Sequence, residues 1–236
     1  MSFWQIRTSS TAGPNLTYVM LVMIMAMWAS GVVVSRGVHE LVPPIGYSFW
    51  RWCTATILMA PFIAPEIFRA RDYVRRRFGY FMLLGIFVAG ASTLVMWAAQ
   101  HTTATNILLV SATQPSVTVI VAWFVLKDRL APMQLVGVMA AAFGITIMIA
   151  RMDFDVITQL SFNVGDILVV VSVFFFALYT VHLHQWIEGM NPFPIMFMTS
   201  LTGTLVLLPA YLAESLFVET VPLDIRVFSA IFFMAV

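Results

Sequence analysis

Charge is what this chain has least of. Only 10% of its 236 residues are charged, against about 25% in soluble domains, while 61% are hydrophobic. No stretch is left over to make the polar surface of a soluble catalytic domain. Lys and Arg number 12 against 11 Asp and Glu, a net charge of +1. The basic excess of a nucleic-acid binder is therefore lacking. Cysteine is almost absent, and Cys53 alone excludes an internal disulfide. It reads as a small apolar residue packed inside a helix. The phosphate-cradling run G-x-x-x-x-G-K-[ST] is missing, which excludes ATP hydrolysis by this chain. The four histidines, at 39, 101, 182 and 184, have no carboxylate cluster beside them. His182 and His184 are two apart, on opposed sides of a helix, and do not share a metal. No metal and no cofactor are expected, and the acid–base pairs of an intramembrane enzyme are not in place.

Long apolar runs fill the chain instead. A helix needs roughly 20 apolar residues to cross a bilayer, and eight runs qualify as spans. They are Thr17 to Val38, Ile45 to Ala64, Gly79 to Ala99, Ala104 to Leu126, Pro132 to Ala150, Val164 to Trp186, Pro194 to Ala213, and a run from Ile225 still open at Val236. The first run is too long for a signal-peptide core and lacks a small-residue cleavage site, so it reads as a retained span. The expected fold is an all-α polytopic membrane protein with eight transmembrane helices, the eighth incomplete.

Basic residues set the orientation. Arg7, Arg69, Arg71, Arg75, Arg76, Arg77, Lys127 and Arg129 fall on one side, and Arg36, Arg151 and Arg226 on the other. The first side is cytoplasmic, with the N-terminus. The arginine cluster reads as this topology signal ahead of a lipid or nucleic-acid patch.

Self-comparison exposes an internal repeat. At an offset of 148 positions Glu40 meets Glu188, Pro44 meets Pro192, Thr54 meets Thr202, Thr56 meets Thr204 and Pro61 meets Pro209. The first span falls on the sixth and the second on the seventh. A five-span unit is odd, so its second copy enters the membrane inverted, an architecture of transporters. The units run from 17 to 151 and from 164 to 236, the second truncated after about three helices. A fragment of a ten-helix, five-plus-five protein is expected.

Three stretches resemble the drug/metabolite transporter superfamily in its EamA-like branch. They are Met27-Trp28-Ala29-Ser30 with Arg51; Trp97-Ala98-Ala99-Gln100 through Gln114-Pro115 and Lys127-Asp128-Arg129 to Gly137 and Gly144; and Gly165-Asp166 leading to Phe176-Ala177-Leu178-Tyr179. The chain departs from the pattern at Asp128, where the family usually has Glu, and in lacking a second copy of the Pro-turn-Gly unit. The resemblance implies ten helices, a central substrate cavity, cytoplasmic termini and a place in a bacterial inner (plasma) membrane. It implies transport of small molecules such as amino acids, other metabolites or drugs, without naming one.

The candidate cavity residues are Trp28, Trp97, Gln100, Gln114 and Tyr179. Trp28 sits near mid-span, where the interfacial aromatic belt does not explain it. Trp97 and Gln100 share one face, and a span's polar amides turn away from lipid. Pro115 removes a backbone hydrogen bond and marks a helix bend, with Ser111 one turn back. Arg51 is a buried charge, and Glu40 or a substrate carboxylate is its expected partner. Asp166 reads as a helix cap, Asn106 as helix–helix glue, Arg36 as solvated, and Gly137 and Gly144 as packing positions. No carboxylate is evident inside a span.

The function read from this is secondary transport of a small metabolite, proton-coupled or by exchange, with oligomeric state open. The alternatives are a non-transporting scaffold or inactive fragment, and, with less support, an intramembrane enzyme.

Overall fold

The computed structural model describes residues 14–127, 132–149, 163–187, 190–222 and 224–235. Arg7, Asp128, Arg129, Arg151 and Glu188, used in the turn, orientation and repeat readings, lie outside the described residues. The helices in the described residues are α1 (Pro14–Val38), α2 (Pro44–Arg69), α3 (Arg71–Ala98), α4 (Ala104–Ser111), α5 (Gln114–Leu126), α6 (Pro132–Ile149), α7 (Val164–Trp186), α8 (Pro192–Phe217) and α9 (Ile225–Ala235). Four of them, α1, α3, α7 and α8, are long and apolar enough to cross a membrane. The bent pair α4 and α5 makes a fifth if it is one broken span. The chain is thus an all-helical, polytopic membrane protein.

Several helix ends differ from the apolar runs. α2 passes through Pro61 and Pro65 to Arg69, and α3 starts at Arg71 rather than near Gly79. Arginine is a strong helix former, so the backbone keeps its helix after the apolar run stops. Only Ala70 separates α2 from α3. α8 likewise runs from Pro192 to Phe217, with proline in its first turn, where no amide is needed. The run from Ala104 to Leu126 is broken between Ser111 and Gln114, and its halves meet at 41°. Pro115 has no N–H to return to Ser111, and the Thr113 hydroxyl donates to the Val110 carbonyl at 2.6 Å.

Three pairs of helix ends share one offset. Val38 and Trp186, Pro44 and Pro192, and Arg69 and Phe217 are each 148 residues apart. α3 is the hub, packed on α2, α7 and α8. α2 packs on α8 and α9, α1 on α9 and α4, α4 and α5 on α7, and α6 on α5. Close approach is built at particular glycines. A Cβ on Gly85 would sit 2.8 Å from the Gly203 nitrogen and 2.9 Å from the Thr202 carbonyl carbon, so α3 and α8 nearly touch backbones. There the Thr202 hydroxyl donates to the Phe81 carbonyl at 2.9 Å, a small-residue contact of membrane type. Gly137 and Gly144, expected to do this for α6, have nothing within 4 Å of a built Cβ.

Candidate functional site

The α2/α8 pair is antiparallel and closed at both ends by glutamates. α2 begins at Pro43-Pro44 and has no side-chain cap of its own. Its first-turn amides are therefore orphans in need of an acceptor. Glu214, near the end of α8, supplies it: the Ile45 amide donates to Oε1 at 3.2 Å and the Gly46 amide to Oε2 at 2.5 Å. The carboxylate also faces the positive end of α2. Glu214 is only 8% exposed. One turn earlier, Tyr211 stacks on Phe49 at 4.4 Å and accepts from the Trp50 indole N–H at 3.2 Å, pinning the same ends together.

The opposite end repeats the arrangement. Glu66, near the end of α2, accepts from Asn191 Nδ2 at 2.9 Å. Asn191 is the N-cap residue of α8, which also lacks a side-chain cap bond. Glu66 and Glu214 lie 148 positions apart, as do Pro43 and Asn191. Each glutamate therefore meets the start of the other's helix. Each also stands in a cleft. The Glu214 cleft holds about 640 Å³ and includes His39, Glu40, Trp97, Gln100 and Val218. The Glu66 cleft holds about 280 Å³ and includes Ala70, Tyr73, Met190 and Asn191.

Of the residues singled out by sequence, Trp97 and Gln100 come together as walls of the larger cleft. Trp28 lies apart, 41% exposed on α1. Tyr179 packs among Phe81, Leu84, Phe197 and Met198 between α3 and α8, its hydroxyl beside Thr199. Gln114 opens α5, half-buried, with its carbonyl accepting from the Thr118 hydroxyl at 2.8 Å, and Pro115 is exposed. Arg51 lies with its guanidinium carbon 5.0 Å from the Trp52 ring centre. Its Nε and Nη2 are buried and make no hydrogen bond. The hydroxyl of Tyr47, one turn earlier, is buried beside Ser35 and has no hydrogen-bond partner among the described residues, while Ser35 donates to the Gly31 carbonyl at 2.8 Å.

Three sequence readings need correction. Glu40 does not reach Arg51; it is 85% exposed and sits 3.7 Å from His39. Arg36 is not simply solvated, since its Nη1 donates to the Ala99 carbonyl at the end of α3. Asp166 is not the cap of its helix. Asn163 takes that place by accepting from the Gly165 amide at 2.8 Å. Asp166 instead accepts from the Thr102 hydroxyl at 2.7 Å and Asn106 Nδ2 at 3.4 Å, tying the α3–α4 turn to α7. This contact makes Asn106 the glue it was read as. Two carboxylates outside the apolar runs also belong to the long helices. Glu66 and Glu214 stand in α2 and α8, and the 148-residue offset pairs them in sequence. They escaped notice because both lie beyond the apolar runs taken as spans.

Comparison with known proteins agrees on one family. The model of the EamA-like transporter family matches residues 15–150. An uncharacterized transporter, YyaM, of Bacillus subtilis (strain 168) is 25% identical over 193 residues, covering 81% of this chain and 63% of that protein. An uncharacterized transporter of Archaeoglobus fulgidus is 25% identical over 170 residues, covering 70% of this chain and 56% of that protein. The chain thus spans 63% and 56% of the lengths of these curated relatives. No solved structure matches.

Proposed function

Because the chain belongs to the EamA-like transporter family, we propose that it serves as a secondary transporter of small metabolites such as amino acids or drug-like compounds, by alternating access between inverted repeats. The first repeat is residues 17–151 and the second opens at 164. The observation that carries this reading is the reciprocal pair of glutamates, each meeting the start of the other's helix at the repeat offset. The packing supports it as well. Exchanging α1 with α7, α2 with α8 and α3 with α9 turns the α3–α7 contact into α9–α1, and α3–α8 into α9–α2, and all four occur. The two glutamate clefts are then the two mouths, at opposite membrane faces, with Trp97 and Gln100 walling one. The basic α2–α3 junction sits at the cytoplasmic face with the N-terminus, in an inner (plasma) membrane.

Arg51 and Tyr47 give the reading a chemistry. An unpaired buried guanidinium costs several kcal/mol, and a substrate carboxylate relieves that cost. Coupling is to a proton or to a counter-substrate.

The test is flux of an amino-acid and metabolite panel in proteoliposomes of the full-length protein. Flux of at least one compound is expected. Glu66→Gln and Glu214→Gln each keep an acceptor oxygen but lose its charge, removing roughly half of a bond worth about 1.5–3 kcal/mol, enough to shift a closed–open equilibrium about three- to ten-fold and slow that flux. Absence of flux for every compound defeats the transport reading.

A further inference from the structure

The arginine cluster does more than set topology. Five arginines, at 69, 71, 75, 76 and 77, stand within nine positions at the α2–α3 junction. Their side chains are not equivalent. Arg77 is engaged: its Nη1 donates to the Trp186 carbonyl at the end of α7, and its guanidinium lies 5.3 Å from the Tyr73 ring centre. Arg71 and Arg75 are exposed, one turn apart on the same face of α3. Among the described residues neither takes part in an ion pair. Both border a groove of about 520 Å³, inside the size range of roughly 300–1,000 Å³ for ligand clefts. The rest of that groove is apolar: Ala64, Ile67 and Phe68 from α2, Val74 and Phe78 from α3, and Phe197 from α8.

We propose that this groove binds one anionic phospholipid of the surrounding bilayer, its phosphate on Arg71 and Arg75 and an acyl chain along Phe68, Phe78 and Phe197. The order of groups along the helices matches the order in a lipid. Guanidinium groups stand at the helix junction, and apolar walls run from there along α2, α3 and α8, of which α3 and α8 are long and apolar enough to cross a membrane. Arg71 is already held, its guanidinium carbon 5.2 Å from the Phe68 ring centre, so little side-chain freedom is lost on binding. Phe68 is itself 70% exposed, an apolar surface awaiting cover. The neighbouring carboxylate does not compete. Asp72 is about 100° around the helix from Arg71 and about 60° from Arg75, but among the described residues it forms no ion pair with either, and it borders a separate cleft with Arg76 and Arg77. The repeat does not require these arginines either, because Glu219 and Leu223 stand 148 positions after Arg71 and Arg75. A topology signal needs basic residues in the junction but does not need two of them beside an apolar groove.

The experiment is native mass spectrometry of the full-length protein in detergent, titrated with dioleoyl phosphatidylglycerol or dioleoyl phosphatidylcholine. One phosphatidylglycerol is expected to be retained in preference to phosphatidylcholine. Arg71→Gln with Arg75→Gln is expected to weaken retention about 25-fold, roughly five-fold for each arginine. Arg69→Gln with Arg76→Gln removes the same charge outside the groove and is expected to leave retention unchanged. Ala64→Trp keeps every arginine, fills the groove and is expected to release the lipid, so the conclusion does not hang on one variant's folding. Glycerol 3-phosphate, which has the phosphate without the chain, is expected not to bind. Equal loss in both arginine pairs, full retention in Ala64→Trp, equal retention of phosphatidylcholine, or binding of glycerol 3-phosphate would overturn the proposal.

Discussion

Gly165 and Asp166 show how two adjacent residues can do unrelated jobs. A Cβ on Gly165 would stand 2.8 Å from Thr102 Cβ and 2.9 Å from its nitrogen, so only glycine lets α7 start against the α3–α4 turn. That approach places Asp166 where Thr102 and Asn106 both donate to it. A carboxylate at a helix start was legible in sequence. Its partners were not, because they lie about 60 residues away and no local pattern links them. Removing the acceptor leaves the buried Thr102 hydroxyl with no group to donate to, while its oxygen still accepts from Asn106 Nδ2 at 3.2 Å. Asp166→Ala is therefore expected to lower stability by about 1–3 kcal/mol, measured by denaturant unfolding in detergent micelles. A variant as stable as the parent would show that the contact carries no weight. Arg51 and Glu40 illustrate the opposite failure. Charge made them look like partners, but Glu40 stays in the open beside His39, as an exposed carboxylate near solvent has little to gain from burial.

At the scale of elements, apolar runs located the helices well and ended them badly. Hydropathy reports what the bilayer accepts, whereas the backbone continues as long as residues favour helix. This is why α2 reaches Arg69 and α3 starts at Arg71. The bend near Pro115 was legible because proline acts on its own backbone, and the halves do diverge by 41°. The close contacts of α3 with α8 were not, since Gly85 and Gly203 resemble any other membrane glycine until the fold brings them together. The α2 start is the element whose closure can be read directly. With Glu214→Ala, the Ile45 and Gly46 amides lose their acceptor. Their hydrogen exchange is expected to accelerate about 5- to 100-fold, the equivalent of roughly 1–3 kcal/mol. Glu66→Ala is expected to leave those two amides alone. Unchanged exchange in Glu214→Ala would show that the carboxylate does not close α2.

At the scale of the whole molecule the proposed repeat ties the helices together. Its period was read from a few polar and proline coincidences, and three pairs of helix ends fall at the same 148-residue spacing. The clefts were not legible, because a cleft is a relation between four or more segments. Trp97 and Gln100 could be named from one helix, but the glutamate below them belongs to another, α8, more than 110 positions later. The central claim is that the two halves are inverted, so equivalent residues face opposite sides of the membrane. Ala70 and Val218 are equivalent, and each lines one glutamate cleft. Cys53 is the single cysteine of these 236 residues, and Cys53→Ser, with any cysteine beyond them replaced likewise, clears the background for labelling. The deciding measurement is modification of Ala70→Cys and Val218→Cys, one at a time, in the full-length protein by a membrane-impermeant maleimide in sealed vesicles of each orientation. The inverted-repeat account predicts that the two positions label from opposite sides, Ala70→Cys from the cytoplasmic one. Labelling of both from the same side would contradict it.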